Sequence, residues 1–282
     1  LSGESASMTA SNAHFGGGRI AVSGGGTLKL HDSVVEHSQH VDGIVSSTAG
    51  GNVHMWRSIV RDFNKTRFIS TPTLIEECLF ENMTTSGIEF VGGGSTSSVR
   101  RTTLRNSNGS AALGVLFAAS LAGLADNCLF DSIQGVGVKA ENATASIMYC
   151  LFDGCGTGLK TIGSSDVCNI NNTIANGAEG IEGDQSVTNA ITWSVDTAAV
   201  AGPATVAYSD IQLPGIGIYA GMANMNRYPW FRDEPRSDYR LQDISPARGA
   251  GLAGEDMGAA FPVGANPATP TGQALDAETN AM

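Results

Sequence analysis

The sequence predicts an all-β solenoid, with short strands stacked coil upon coil along one axis. Three observations carry this. First, a small residue followed by mostly apolar ones recurs along the chain. It begins at Ser33-Val34-Val35, Ser58-Ile59-Val60, Cys78-Leu79-Phe80, Thr103-Leu104-Arg105, Cys128-Leu129-Phe130, Cys150-Leu151-Phe152 and Thr173-Ile174-Ala175, at spacings of 25, 20, 25, 25, 22 and 23 residues. Second, most copies are answered downstream by a glycine and an aliphatic residue: Gly43-Ile44, Gly87-Ile88, Gly114-Val115, Gly137-Val138, Gly158-Leu159 and Gly180-Ile181. Third, 36 of 282 residues are glycine and only 15% are charged, a composition that suits many tight turns around short strands and suits helices poorly.

In chain order, Ala13-His14-Phe15 is a degenerate first copy of the phrase. Ile20–Val22 and Thr27–Leu30 alternate with period two, as strands do. From about residue 27 to 215 the spacing gives eight or nine coils, with Phe68-Ile69 standing in for the glycine pair in the second. No amphipathic helix precedes the first coil, so the expectation is that this end is covered by a preceding domain or by the chain's own subunits. Residues 1–223 are read as coils. Residues 224–262, rich in aromatics around Tyr228-Pro229-Trp230-Phe231, are read as a C-terminal cap closing the last open rung. Residues 263–282 are read as a linker or flexible tail.

The net charge of −11, with four lysines, argues against nucleic-acid binding, which needs a basic face. No apolar run is long enough to span a bilayer as a helix. Cys78, Cys128 and Cys150 occupy the small slot and read as buried side chains. Cys128 and Cys150 fall in adjacent coils close enough for a disulfide, but side chains pointing the same way disfavour the bond. The lack of a C-x-x-C pair makes a cysteine–zinc site improbable.

The phrases, the Gly16-Gly17-Gly18-Arg19-Ile20 opening, and the Pro229-Trp230-Phe231-Arg232-Asp233 to Asp256-Met257-Gly258-Ala259 ending resemble secreted bacterial parallel β-helix repeat proteins of the pectate-lyase-like superfamily. The resemblance spans about residues 6–262. It implies a single-stranded right-handed parallel β-helix of about 9–10 coils in a secreted or cell-surface protein. The scaffold hosts lyases, hydrolases, epimerases, adhesins and structural parts, so fold alone assigns no activity. The Asn-Thr-Asp, Asp-Asp, His-Gly and Arg-Ile-Lys patterns of polygalacturonase-like hydrolases do not occur here. Nor does the Asp-Pro-His-Asp of alginate epimerases.

The remaining candidates are charged and aromatic. All five histidines (14, 31, 37, 40 and 54) precede residue 55, and Arg57, Arg61, Arg100, Arg101 and Arg105 fall in neighbouring coils. Stacked coils lie about 4.8 Å apart, so opposite charges at one position in successive coils are neighbours. By that alignment Arg57, Arg61 and Arg101 read as rungs of ion-pair ladders. Arg100 and Arg105 are left over as binding candidates, with Trp56 as a surface for sugar stacking. Arg105, His31 and His54 are the candidate catalytic groups. No metal or cofactor is expected, since acids cluster only at Asp233-Glu234 and a calcium site has no further support. The leading expectation is a non-catalytic extracellular structural or adhesive protein. The alternative is a polysaccharide lyase or glycoside hydrolase acting on an acidic polysaccharide beside the long loops of coils two to four.

Overall fold

The computed structural model describes residues 7–23, 25–41, 43, 45–47, 51–92, 96–119, 122–215 and 217–259; the expected tail at 263–282 and Ile44 lie outside these. Three parallel sheets run the length of the solenoid. Sheet 1 has ten strands, from Ser7–Ser11 to Thr205–Ala207. Sheet 2 also has ten, from His14–Gly16 to Asp210–Ile211. Sheet 3 has nine, from Ile20–Val22 to Ala198–Ala201. Each coil contributes one strand to each sheet, except that the last has none in sheet 3, and every strand pairs with its counterpart one coil away. Among the described residues no helix is long and apolar enough to cross a membrane.

The strands are short because the chain must turn at every corner. Between sheets 1 and 2, Asn12, Asp32, Arg57, Glu77, Arg101, Asn127, Tyr149, Asn171, Asn189 and Tyr208 all take a left-handed conformation, with φ of 45–56°. Asparagine and aspartate adopt it at lower cost than other side chains, which explains the frequent asparagine at this corner. A second left-handed column, including His37, Asp62, Asn82, Asn106 and Asn176, ends the sheet 2 strands.

Register corrects the sequence alignment in two coils. Thr103 lies opposite Leu79 and Leu129, so Thr102 fills the small slot; Thr173 lies opposite Leu151, so Asn172 fills it. The slot demands more than small size. Its side chain donates to the carbonyl two residues earlier: Ser33 Oγ to His31 (2.7 Å), Ser58 Oγ to Trp56 (3.0 Å), Cys78 Sγ to Glu76 (3.3 Å), Thr102 Oγ1 to Arg100 (2.9 Å) and Cys150 Sγ to Met148 (3.2 Å). Asn172 meets the same need differently, donating Nδ2 to the Ile147 carbonyl (2.7 Å) and accepting the Cys150 N–H at Oδ1 (2.7 Å). The column satisfies buried backbone groups that the corner takes out of the ladder. All five cysteines are free thiols, Cys128 and Cys150 included.

The interior is a stack of like on like. Val35, Val60, Phe80, Leu104, Phe130, Phe152 and Ile174 form one inward row of sheet 2, all at most 1% exposed. Phe130 and Phe152 lie face to face at 4.7 Å, and sheet 3 stacks Phe68, Phe90 and Phe117 at 5.6 and 5.5 Å. Burying each such ring contributes about 2–3 kcal/mol. The glycines of the sequence pattern make room for these rings. A Cβ on Gly114 would sit 2.8 Å from Phe130 Cδ1, and one on Gly137 2.6 Å from Phe152 Cδ1. In the second coil Thr66, not Ile69, stands opposite Ile88, so the expected Phe68-Ile69 substitution is out of register by three.

Only the start of the C-terminal segment closes the last rung: Met225 bridges Asp210 and accepts the Ile211 N–H (2.9 Å). Leu213 and Tyr219 pack against that end of the core. From about residue 229 the chain instead folds back along the outside of sheet 2. There Phe231, Tyr239, Ala247 and Met257 bury the outward-facing Leu151, Ala175 and Ile191, with Leu129 and Trp193 at the margin. Polar contacts fix the segment: Tyr239 Oη donates to Asp153 Oδ1 (2.8 Å), and the Ala259 N–H donates to Thr173 Oγ1 (2.8 Å). A two-stranded antiparallel hairpin, Phe231–Asp233 with Asp238–Leu241, stiffens it. The physical reason is apolar: sheet 2 presents hydrophobic side chains on both faces over these coils, and the outer ones require cover.

Candidate functional site

The candidate residues lie on two outer faces, which separate them cleanly. On sheet 2, register places Glu36, Arg61, Glu81, Arg105, Asp131 and Asp153 in one column. Arg61 Nε bonds Glu36 Oε2, and Arg105 bonds Glu81 Oε2 through Nε (3.0 Å) and a terminal nitrogen (2.8 Å). Arg105, left over in the sequence alignment, is thus a rung of the ladder, because the true slot residue is Thr102. Burial raises the Glu36 pKa, but hydrogen bonds from Arg61 and His14 outweigh it and hold the carboxyl below its ordinary range.

At the neighbouring corner, Arg57 grips Asp32 with two bonds (2.7 and 2.8 Å), and Arg101 reaches both Glu76 and Glu77. Arg67 pairs with Glu89 at 3.6 Å on sheet 3. The Asp233-Glu234 pair is engaged as well: Asp233 holds Arg236 (3.2 Å), and Glu234 accepts from Ser194 Oγ (3.0 Å) and Tyr228 Oη (3.2 Å).

The other candidates converge on the outer face of sheet 1. One row reads His31, Trp56, Glu76, Arg100, Asp126; the row beside it reads Lys29, His54, Leu74, Ser98. The strand alternation that buries Leu30, Met55, Ile75 and Val99 turns these side chains outward. His31 meets His54 edge-on at 5.2 Å between ring centroids and meets Trp56 at 5.7 Å. The Arg57 guanidinium lies 3.7 Å over the Trp56 ring, while Trp56 Nε1 donates to Glu77 Oε2 (3.2 Å). Burial lowers the His54 pKa, reinforced by His31, so its imidazole is neutral at neutral pH. Nε2 of His31, Nε2 of His54 and Nε of Arg100 are each buried without a hydrogen-bond partner. Of the six arginines between residues 27 and 194, Arg100 is the one without a carboxylate partner among the described residues. It lines a 220 Å³ cavity with Thr96, Ser97, Ser98, Gly123 and Leu124.

The structure therefore brings His31, His54, Trp56 and Arg100 onto one surface and places Arg105 on another. Glu76 and Asp126, which the sequence alignment sets on either side of Arg101, flank Arg100 in register, each two residues before its slot. Chemically, the sheet 1 face offers a flat row of aromatic, acidic and cationic groups, with a neutral imidazole beside it.

Stacked parallel coils, left-handed corners and ladders of like residues define a β-solenoid. The family model for a right-handed beta helix region matches residues 19–194, more than half of the chain, and the chain belongs to that family. Comparison with curated proteins gives no match.

Proposed function

We propose that this chain is the solenoid of an extracellular or cell-surface protein with a structural or adhesive, non-catalytic role. It engages its ligand on the outer face of sheet 1, and assembles at the end of the first coil with its own subunits or a preceding domain. One observation carries the reading: of the six arginines between residues 27 and 194, five are held by carboxylates of the solenoid itself, four of them by an acid of the preceding coil. Their charge joins coil to coil, and the groups left over lie on a flat sheet face. Trp56 and the unpaired Arg100 suit a glycan there, by ring stacking and by donation to hydroxyl or carboxylate oxygens.

A second reading rests on His54. A neutral, partly buried imidazole is competent as a general base, and with Arg100 two coils further along the same face it suits proton abstraction from a uronic-acid polymer in a lyase. One experiment addresses both. The full chain is incubated with uronic-acid and neutral polysaccharides, and retention and new chain ends are measured together. Retention without new ends, lost in Trp56→Ala and Arg100→Ala, supports adhesion. Chain cleavage lost in His54→Gln supports the lyase. Neither retention nor cleavage refutes a glycan-binding face.

A further inference from the structure

We propose that His14, Glu36 and His37 form a binding site for a divalent transition-metal ion, with Asp62 supporting His37 from its far side. The site lies at the edge of sheet 2, away from the sheet 1 face, and does not depend on the function proposed above.

The coil geometry assembles it. Register sets Glu36 beside Arg61, and the left-handed corner column sets His37 over Asp62 and Asp62 over Asn82. His14 faces the same cluster from the preceding coil. Each carboxylate has one oxygen secured by the scaffold and one turned toward imidazole. Glu36 Oε2 is taken by Arg61, while Oε1 lies 2.6 Å from His14 Nε2 and 3.5 Å from His37 Nε2. Asp62 Oδ1 accepts from Asn82 Nδ2 (2.8 Å), while Oδ2 lies 3.5 Å from His37 Nδ1. The donor atoms of Glu36, His37 and Asp62 all fall within 4.8 Å of one another.

The two His37 distances, each 3.5 Å, are long for hydrogen bonds and suit ligands gathered round an ion. Ligands about 2.0–2.1 Å from a tetrahedral ion are about 3.3 Å apart, close to the His37–Glu36 separation. Asp62 on the opposite imidazole nitrogen then completes a carboxylate–imidazole–metal relay, which fixes the tautomer and raises the basicity of the ligand nitrogen. Glu36 is nearly buried, with Oε2 fixed by Arg61 and Oε1 facing the two imidazoles. His14 and His37 are both accessible, and ion binding requires His14 to give up its 2.6 Å hydrogen bond with Glu36. His14 and Glu36 also line a 320 Å³ cavity with Phe15, Gly17 and Arg19, which leaves room for a fourth ligand. Two imidazoles and one carboxylate select zinc, copper or nickel over calcium or magnesium.

The competing account is an imidazolium of His37 bridging two carboxylates with no ion. Calorimetric titration of metal-free, untagged full chain with Zn²⁺ at pH 7 separates the two. The expected result is one site per chain, with affinity reduced at least tenfold in His37→Asn and in His14→Gln, and about 10–100-fold in Asp62→Asn. Asparagine at position 37 retains the left-handed corner, so that variant keeps its fold. The double variant His31→Gln, His54→Gln binds as wild type, and Ca²⁺ gives no comparable heat. In that double-variant background, paramagnetic resonance of bound Cu²⁺ shows coupling to two imidazole nitrogens. The proposal is overturned if wild type gives no zinc heat, if binding survives His37→Asn, if it vanishes with His31 and His54, or if the copper spectrum lacks nitrogen coupling.

Discussion

Replacing Asp210 with asparagine isolates the cost of one buried carboxylate in the last coil. Asp210 is fully buried; Oδ1 accepts the Arg227 N–H (3.0 Å), while Oδ2 is buried with no partner. Burial pushes its pKa from 3.8 up to about 6, against the opposing pull of the Arg227 N–H. The folded chain therefore binds this proton more tightly than the unfolded chain does. The associated stability is fully present below about pH 4 and is lost as the pH rises through 6. A gap from 3.8 to about 6 corresponds to about 3 kcal/mol, nearly all of it forfeited by pH 7. Asparagine keeps the acceptor but carries no charge, so its contribution is flat with pH. The assay is urea unfolding of both proteins from pH 4 to 8, read through the fluorescence of Trp193 and Trp230. The stability of wild type relative to the variant is expected to fall by about 2 kcal/mol between pH 4 and 7. A difference that stays constant over that range would falsify the assignment of a raised pKa to Asp210.

Three further outcomes follow from the same packing. Arg105→Glu sets four carboxylates in a row with Glu81, Asp131 and Asp153, and costs about 1–2 kcal/mol at low ionic strength, shrinking in salt; a loss indifferent to salt argues against the ladder. Tyr239→Phe removes a donor from buried Asp153, and is expected to cost about 1–3 kcal/mol. Hydrogen exchange should rise first across residues 229–259, and unchanged protection there refutes the fastening role. In the native chain a thiol reagent at pH 8 should titrate one cysteine, the half-buried Cys168. Cys78, pushed up to about 12 by burial, and the equally buried Cys128, Cys150 and Cys155 should react only after unfolding; two or more native thiols contradict the buried column.

The periodicity, the coil count and the glycine column were legible because they answer constraints that recur in every coil. The one-residue slips at Thr102 and Asn172 were not. Two threonines stand side by side at 102 and 103, and size alone does not choose between them. The choice falls to the hydroxyl that reaches the Arg100 carbonyl, and at Asn172 a larger amide meets the same demand. That slip disguised Arg105 as an odd residue, although its neighbours Glu81 and Asp131 were in plain view. The grouping of His31, His54, Trp56 and Arg100 follows from strand alternation, but only once register is known. The C-terminal segment's position was illegible because its partners, Leu151 and Ile191, sit in strands already assigned to the interior.

The segment that clasps sheet 2 also imposes an order of events on synthesis. Coils near the start contact only their neighbours, so each is able to settle as it leaves the ribosome. Leu129, Leu151, Ile191 and Trp193, by contrast, emerge with an oily outer flank whose cover lies 35 or more residues downstream. The nascent chain must hold that flank exposed until Phe231, Tyr239 and Met257 arrive. A stalled or shortened product ending near residue 225 would be folded, yet adhesive toward its own copies.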